Sequence, residues 1–93
     1  MYNVSVIVPI YYGKKYIKQL LQQVEACWKC AEGKIGIELL LVNDAPDDPL
    51  PQDYFSECGE IVVLNTEVNR GVQGARVKGI EKSRGKYILF LDQ

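Results

Sequence analysis

Residues 37–44 read IELLLVND, an apolar run that stops abruptly at Asn43 and Asp44. A nearly continuous apolar run of this length is typical of a β-strand that is buried on both faces, as strands of parallel sheets are. Asp44 is therefore predicted to lie at the carboxyl end of a buried strand.

The same pattern occurs three more times, as VSVIV (residues 4–8), IVVL (61–64) and YILFL (87–91). Apolar residues recur at helical spacing over residues 15–28 and, more weakly, over residues 71–84. This alternation predicts an α/β fold, a Rossmann-like, mostly parallel sheet of about four strands with helices on both faces and right-handed crossovers.

Glycines and prolines divide these elements. The proline-rich segment 45–52 predicts an irregular loop that leads into a short helical turn at residues 53–58, and Gly85 is predicted to cap the second helix. Gly74 and Gly79 lie inside that helix, where each costs roughly 1 kcal/mol relative to alanine. A close approach by a neighbouring strand or by a ligand would explain both glycines.

Length and charge limit the classes of protein to which the chain can belong. Its 93 residues fit one small domain, residues 1–93, and a formal net charge of −1 argues against a nucleic-acid partner. No apolar stretch approaches the roughly 20 residues of a membrane span, and the N-terminus does not read as a signal peptide. A cytoplasmic location is the default expectation.

The three cysteines do not indicate a redox or zinc site. Cys27 and Cys30 form a C-x-x-C pair, but the pair closes an amphipathic stretch instead of opening a helix after a strand. The chain contains no histidine, so a zinc site would lack a fourth ligand. Packing at the end of the first helix is the better interpretation.

The predicted strand ends carry a combination of aromatic, acidic and basic side chains. In chain order these strand ends are Pro9-Ile10-Tyr11-Tyr12, then Asn43-Asp44, then Glu67 with Asn69-Arg70-Gly71, and finally Asp92. In open parallel sheets, ligands bind outside the carboxyl ends of the strands. This combination suits a nucleoside diphosphate. An aromatic surface would pack on the base, and a carboxylate would accept a hydrogen bond from the base or the ribose. Cations and a helix N-terminus would face the phosphates. Asp92 would bind Mg²⁺ or Mn²⁺ together with diphosphate oxygens.

Each of these residues also has an ordinary explanation when it is taken alone. An aspartate after a strand commonly caps a turn, and an arginine is commonly a solvated surface charge. Their shared location at one edge of the predicted sheet favours the binding site.

Several segments, in the right order and spacing, resemble family 2 glycosyltransferases. The opening VSVIVPIYYGKKYIKQLL is similar to that family's first strand, its Pro-x-Tyr-Asn turn and its first helix. LLLVNDAPDD is similar to its strand and Asp-Asp-Gly-Ser turn. NRGVQGARVKGIEKSRGKYILFLDQ is similar to its Asn-x-Gly, Ala-Arg-Asn-x-Gly and Gly-x-Tyr-x-x-Phe-Leu-Asp segments. The resemblance covers nearly the whole chain.

The resemblance implies the first half of a GT-A fold and a set of binding residues. These residues are Pro9, Tyr11, Asp44, Asn69, Arg76 and Asp92. Pro9 and Tyr11 would border the nucleobase, and Asp44 would accept a hydrogen bond from a uracil-type base. Arg76 would lie toward the nucleotide. Asp92 would be the first acid of the D-x-D motif that binds Mg²⁺ or Mn²⁺.

The implied activity is transfer of a sugar, with inversion, from a UDP-linked donor to a hydroxyl of a saccharide or other acceptor. The catalytic base and the acceptor site are expected beyond Gln93, so the resemblance assigns no catalytic residue to residues 1–93. The 93 residues are expected to bind nucleotide weakly and to turn nothing over. The intact protein is expected in the cytoplasm or at the inner face of the membrane.

Four positions depart from the family pattern. Tyr12 replaces the usual asparagine, Asn43 the first aspartate, residues 45–46 the Gly-Ser pair, and Val77 the asparagine after the arginine. These departures bear on which base and which donor sugar the site would accept, more than on the fold.

Two other functions stay open. A sugar-nucleotide nucleotidyltransferase would carry a glycine-rich basic loop early in the chain, of which residues 13–15 (GKK) are a poor version. A receiver-like module would use Asp44, Asp47 and Asp48 around a metal ion, but two tyrosines stand where its acidic pair is expected after the first strand.

Overall fold

The computed structural model describes residues 2–30, 36–54 and 59–91 of the chain. The four strands are β1 (Val4–Ile10), β2 (Ile37–Asn43), β3 (Glu60–Asn65) and β4 (Tyr87–Phe90). The helices are α1 (Ile17–Cys30), which follows a 3₁₀ turn at Lys14–Tyr16, and α2 (Gly71–Lys82). The predicted order of strands and helices is confirmed.

All four strands are parallel, and their order across the sheet is β3-β2-β1-β4. Ile10 of β1 pairs with Asn43 of β2, which in turn pairs with Asn65 of β3. These three strands therefore end level with one another. The chain moves outward from β1 to β3 and then crosses back to β4, so the strand order reverses beside β1. Ligand sites of open α/β sheets lie at such a reversal.

The two faces of the sheet bury alternate residues of the same strands. Val6, Val8 and Ile10 of β1 pack with Ile17, Val24 and Trp28 of the first helical segment on one face. Ile7 of β1 packs with Leu40, Val42 and Ala75 on the face that α2 covers. Burial on both faces explains why the strands read as continuous apolar runs and not as alternating ones.

Strand β4 differs from the other three strands. It lies at the edge of the sheet, and its four residues keep between 39% and 63% of their surface exposed although all are apolar or aromatic. None of the helices in the described ranges is long and apolar enough to cross a membrane.

Several local predictions need correction. Helix α2 ends at Lys82 with Ser83 as its C-cap, so Gly85 is not the cap. A Cβ on Gly85 would come within 2.5 Å of the Ser5 backbone nitrogen, and close packing against β1 is the reason for this glycine.

Cys27 is exposed and does not pack at the end of α1. Residues 53 and 54 are not helical, and the rest of the turn predicted at 53–58 lies outside the described residues, as does Cys58.

The two glycines inside α2 have different explanations. A Cβ on Gly79 would lie 2.5 Å from Cγ2 of Ile7, so α2 approaches β1 closely at this point, as predicted. A Cβ on Gly74 would instead meet Cβ of Arg70, one turn earlier in the chain. The expectation of a neighbouring strand is therefore wrong for Gly74, and the alternative of a ligand there stays a prediction.

We expect Gly79→Ala to lower the free energy of unfolding by about 1–3 kcal/mol, because Ile7 is fully buried and cannot yield to the added methyl group. Helix propensity alone predicts the opposite sign, a gain of about 1 kcal/mol. Urea unfolding followed by circular dichroism measures the change. Gln73→Ala, at an exposed position of the same helix, is the control. A stabilised Gly79→Ala variant would contradict the close approach.

Candidate functional site

A cavity of about 400 Å³ lies at the carboxyl ends of β1 and β2, beneath the first turns of α2. Its lining residues are Pro9, Ile10, Tyr11, Asp44, Asn69, Gly71, Val72 and Ala75. Four of the predicted binding residues, Pro9, Tyr11, Asp44 and Asn69, thus meet at one cavity. Their roles stay predictions, but their convergence is a property of the fold.

Asp44 is held at this cavity by contacts on only one of its carboxylate oxygens. Its Oδ1 accepts a hydrogen bond from the backbone N–H of Arg70 at 2.8 Å and lies 3.4 Å from the hydroxyl of Thr66. The Asp44 backbone N–H donates to the carbonyl of Ile10 at 2.8 Å, which fixes the residue against β1. Among the described residues, none donates a hydrogen bond to Oδ2. This oxygen is available to a donor in the cavity.

Asn43, which precedes Asp44, has a purely structural environment. Its side-chain amide lies within 3.1 Å of three acceptors, the carbonyls of Ala45 and Asp48 and Oδ1 of Asn65. A carboxylate could donate to none of them, so this position needs an amide. The departure from the family's first aspartate therefore concerns the loop after β2 and not the cavity.

Asn65 completes this arrangement from the end of β3. Its Oδ1 accepts from the backbone N–H of Leu50 at 2.8 Å, and its Nδ2 donates to the carbonyl of Leu50 at 2.9 Å. The two asparagines, paired across the ends of β2 and β3, hold the loop of residues 45–50 in place. That loop is consequently a fixed surface beside the cavity.

Two tyrosines stand together after β1. Tyr11 lines the cavity, and the ring of Tyr12 meets the ring of Tyr11 edge-on, with centroids 4.5 Å apart and an interplanar angle of 70°. Both side chains are about half exposed. The Tyr12 hydroxyl donates to Oδ1 of Asp47 at 2.6 Å, which raises the pKa of Tyr12 to about 12 because this hydrogen bond favours the protonated phenol.

The N-terminus of α2 forms another wall of the cavity. Arg70 provides no side-chain cap, and no acidic residue lies in the first turn. Gly71 has φ +75°, a left-handed conformation that glycine adopts without strain, and its N–H donates to Oδ1 of Asn69 at 2.9 Å. The positive end of the helix dipole therefore borders the cavity without a carboxylate from its own first turn to compensate it.

Other residues of the predicted strand-end and nucleotide-binding sets do not line the cavity. Arg70 reaches Asp44 with its backbone N–H alone. Arg76 is not among the lining residues, and its guanidinium carbon lies 5.5 Å from the centre of the Phe90 ring. Glu67 is exposed and does not line the cavity either. Asp92 lies outside the described residues.

Thr66, which contacts Asp44 without lining the cavity, and three apolar lining residues were not predicted as binding residues from the sequence. Thr66 follows β3 directly and contacts Asp44, so its position after a strand end could have marked it. Ile10, Val72 and Ala75 are apolar lining residues. They carry no chemical signal of their own, and only the packing of α2 over the ends of β1 and β2 reveals them.

The acidic residues near the cavity hold separate partners. Asp47 accepts from Tyr12, and Asp48 lies 3.3 Å from the ammonium group of Lys14. Within residues 2–30, 36–54 and 59–91, no group of three or more acidic, cysteine or histidine side chains could hold a metal ion by itself. The metal cluster that the receiver-like alternative requires is thus not formed by Asp44, Asp47 and Asp48.

The basic stretch of residues 13–15 does not form a phosphate loop at this cavity. Lys14 is paired with Asp48, and the ammonium group of Lys15 lies 5.1 Å from the ring centre of Tyr16. None of the three residues lines the cavity. The geometry consequently offers no support for a nucleotidyltransferase.

Comparison with protein families agrees with the residues that meet here. The family model described as "Glycosyl transferase family 2" matches residues 5–93. The chain belongs to glycosyl transferase family 2. Family 2 membership accounts for the parallel sheet with its polar strand ends, and it identifies the resemblance seen in the sequence as a relationship.

Three relatives are similar to this family 2 chain over almost all of its length. The minor teichoic acid biosynthesis protein GgaB of Bacillus subtilis is 35% identical over 98% of this chain and 10% of its own length. The putative glycosyltransferase EpsH of the same organism is 32% identical over 96% of this chain and 25% of its own. The undecaprenyl-phosphate 4-deoxy-4-formamido-L-arabinose transferase of Pseudomonas aeruginosa is 35% identical over 96% of this chain and 27% of its own length.

The chain thus spans between a tenth and about a quarter of the length of these three relatives. No solved structure matches it significantly. The family is established by the relatives and the family model, while the activity of the whole protein is a matter for proposal.

Proposed function

We propose that this chain provides the donor-nucleotide site of a glycosyltransferase that transfers a sugar from a UDP-linked donor to an acceptor hydroxyl with inversion. The observation that carries the proposal is the environment of Asp44. One carboxylate oxygen is held by the Arg70 amide, and the other is left for a ligand in a cavity that also has an aromatic wall and a helix N-terminus.

The single available oxygen of Asp44 favours uracil among the common bases. Uracil presents one donor, N3–H, at the centre of its pairing edge. Cytosine presents an acceptor at the same place, which a carboxylate repels. Guanine presents two adjacent donors, which would use both carboxylate oxygens, and here Oδ1 is already engaged. The contacts of Asp44 therefore support the proposal of uracil over cytosine and guanine.

The diphosphate is proposed to lie at the N-terminus of α2. Helix N-termini attract phosphates through free backbone N–H groups and the helix dipole. In the transfer reaction, the same groups would stabilise the charge that develops on the departing diphosphate. Mg²⁺ or Mn²⁺ would add to this stabilisation through Asp92, and this metal site is proposed from the family resemblance alone.

Titration calorimetry of the 93-residue chain with UDP, CDP and GDP tests the donor site. We expect UDP to bind at least about tenfold more tightly than CDP or GDP, since mismatched groups at a buried polar contact cost on the order of 1–3 kcal/mol. Glu67→Gln is the matched control, because it removes an exposed carboxylate that does not line the cavity. It should leave all three affinities unchanged.

Equal binding of the three nucleotides by the folded chain would contradict the role given to Asp44. A titration with Mn²⁺ present tests the metal proposal separately, with tighter UDP binding as the expected result. In the longer protein, the anomeric configuration of the product, read by NMR, tests inversion.

A further inference from the structure

Tyr12 has an unusual backbone conformation for its residue type. Its φ of +52° lies in the left-handed region, and it is the single non-glycine residue in the described part of the chain with a positive φ. A side chain with a Cβ is disfavoured there, and asparagine and aspartate tolerate the region best. The family pattern carries asparagine at this position, so tyrosine needs another source of stabilisation.

The phenol of Tyr12 supplies that stabilisation through a contact to a different loop. Its hydroxyl donates to Oδ1 of Asp47 at 2.6 Å, across 35 positions of sequence. Lys14 and Asp48 join the same two loops with their 3.3 Å ion pair. The connection after β1 is thus tied at two points to the connection after β2.

The loop that receives Tyr12 is a firm anchor. The N–H of Asp48 donates to the carbonyl of Ala45 at 3.0 Å, and the amide of Asn43 donates to the carbonyl of Asp48 at 3.0 Å. Asp47 lies inside this closed turn. Because the loop that carries Asp47 is itself fixed, the hydrogen bond to Asp47 holds Tyr12 in place.

The consequence for the cavity passes through Tyr11. The Tyr12 ring packs edge-on against the Tyr11 ring at 4.5 Å, and Tyr11 lines the cavity beside Pro9. Edge-on aromatic pairs are favourable because the positive rim of one ring meets the negative face of the other. Holding Tyr12 therefore restricts where the Tyr11 ring can lie.

We propose that Tyr12 and Asp47 are positioning residues: their hydrogen bond holds the loop after β1 in its left-handed turn and thereby fixes Tyr11 as the wall of the nucleobase site. The second half of this statement rests on the proposed function, because it assumes that a nucleotide occupies the cavity. The first half, the fixed position of Tyr11, does not depend on any ligand.

The hydrogen bond lasts over the whole neutral range of pH. The phenol donates only while it is protonated, and the pKa of Tyr12 is raised from 10 to about 12 by Asp47. The stabilisation is complete below the unfolded-state pKa and is lost as the pH rises toward 12. Neutral buffers are consequently suitable for the test.

Tyr12→Phe and Asp47→Ala test the proposal with two measurements. The first is the NMR spectrum of the Tyr11 ring in the chain without nucleotide. We expect its resonances to shift in both variants, because the ring at position 12 no longer has an anchor. Asp53→Ala, an exposed carboxylate on the same connection, is the matched control and should leave the Tyr11 spectrum unchanged.

The second measurement is calorimetric titration with UDP. Loss of one hydrogen bond that orders a binding wall is expected to weaken UDP binding about 3- to 10-fold in each variant. The double variant should bind no more weakly than either single variant, because both remove the same contact. Thermal unfolding checks that the variants are folded.

The possible outcomes separate the two proposals. Unchanged Tyr11 resonances in folded Tyr12→Phe would overturn the positioning role, whatever happens to UDP. Shifted Tyr11 resonances with unchanged UDP affinity would overturn the second half of the proposal, that the fixed Tyr11 ring forms the wall of the nucleobase site. If the wild-type chain binds no UDP, the proposed function fails, and the Tyr11 spectrum still decides whether the hydrogen bond fixes the loop.

Discussion

Asp44→Asn is expected to lower the affinity for UDP by at least about tenfold while the chain keeps its fold. The Arg70 N–H donates to Oδ1 at 2.8 Å, so the amide oxygen of asparagine takes that place. The amide NH₂ then replaces Oδ2 at the cavity and faces the uracil N3–H, donor against donor. An unmatched pair of this kind costs on the order of 1–3 kcal/mol.

The same substitution should change which base is preferred. Cytosine carries an acceptor at N3, and the NH₂ group of the introduced asparagine could donate to it. We expect the ratio of UDP to CDP affinity to fall by more than the loss in UDP affinity alone, because CDP binding improves. Calorimetric titrations of wild type and variant with both nucleotides measure this ratio.

Two controls make the result specific. Asp44→Ala removes both oxygens, so it should weaken UDP binding and end the repulsion of CDP, but it supplies no donor that would favour cytosine. Glu67→Gln changes an exposed carboxylate outside the cavity and should leave the ratio unaltered. A folded Asp44→Asn variant that binds UDP like wild type would show that Asp44 does not read the base.

Glu38→Ala is expected to lower the free energy of unfolding by about 2–4 kcal/mol. Glu38 has no exposed surface, and its Oε2 accepts from the Ser5 hydroxyl at 2.6 Å and the Arg84 backbone N–H at 2.5 Å. Removing the carboxylate leaves the buried Ser5 hydroxyl and the partly buried Arg84 N–H without this partner, at about 1–3 kcal/mol each in the least compensated case, and it also leaves a cavity. For a domain this small, such a loss is a large part of the total stability.

The reason for this effect is the position of Glu38 in the fold. Arg84 also contacts Oε1 of Glu38 with its side chain, at 3.2 Å, and the N–H of Gly85 donates to the Ser5 hydroxyl at 2.7 Å. The buried carboxylate thus joins β2 and β1 to the turn that leads from α2 into β4. Its removal should loosen the placement of β4 at the edge of the sheet.

Glu60 provides the matched control because it binds the same arginine from an exposed position. The hydrogen bond from Tyr2, together with Arg84, lowers the pKa of Glu60, and the Glu60 carboxylate stays exposed to solvent. Exposed ion pairs contribute little to stability, so Glu60→Ala should unfold at nearly the wild-type urea concentration. Similar urea midpoints for Glu38→Ala and Glu60→Ala would contradict the role given to the buried carboxylate.

Much of the site could be predicted because it follows from the ends of strands. Apolar runs locate the strands, and Pro9, Tyr11 and Asp44 come directly after or at the end of such runs. In a parallel sheet these ends meet at one edge, so their convergence needs no knowledge of side-chain contacts. Arg76 could not be placed in this way, because its position depends on which face of α2 the sheet covers.

Neighbouring residues at one strand end show the limit of this reasoning. Asn43 and Asp44 are both polar and adjacent, yet Asn43 binds the loop after β2 while Asp44 lines the cavity. Successive side chains of a strand point to opposite faces, and only the packing of α2 decides which face carries the cavity. The sequence alone could therefore identify Asn43 and Asp44 as candidates, but it could not show which of them binds the loop and which lines the cavity.

The sequence by itself determined the alternation of strands and helices, the parallel sheet and the family, because these follow from short-range patterns of apolar and polar residues. Only the tertiary structure decided the strand order, the oxygen that Asp44 leaves for a ligand, the left-handed turn at Tyr12 and the burial of Glu38 beneath Arg84. Each of these depends on groups far apart in the chain, for example 46 positions for Glu38 and Arg84. Such contacts form only when the packed core brings the groups together, and no local pattern records them.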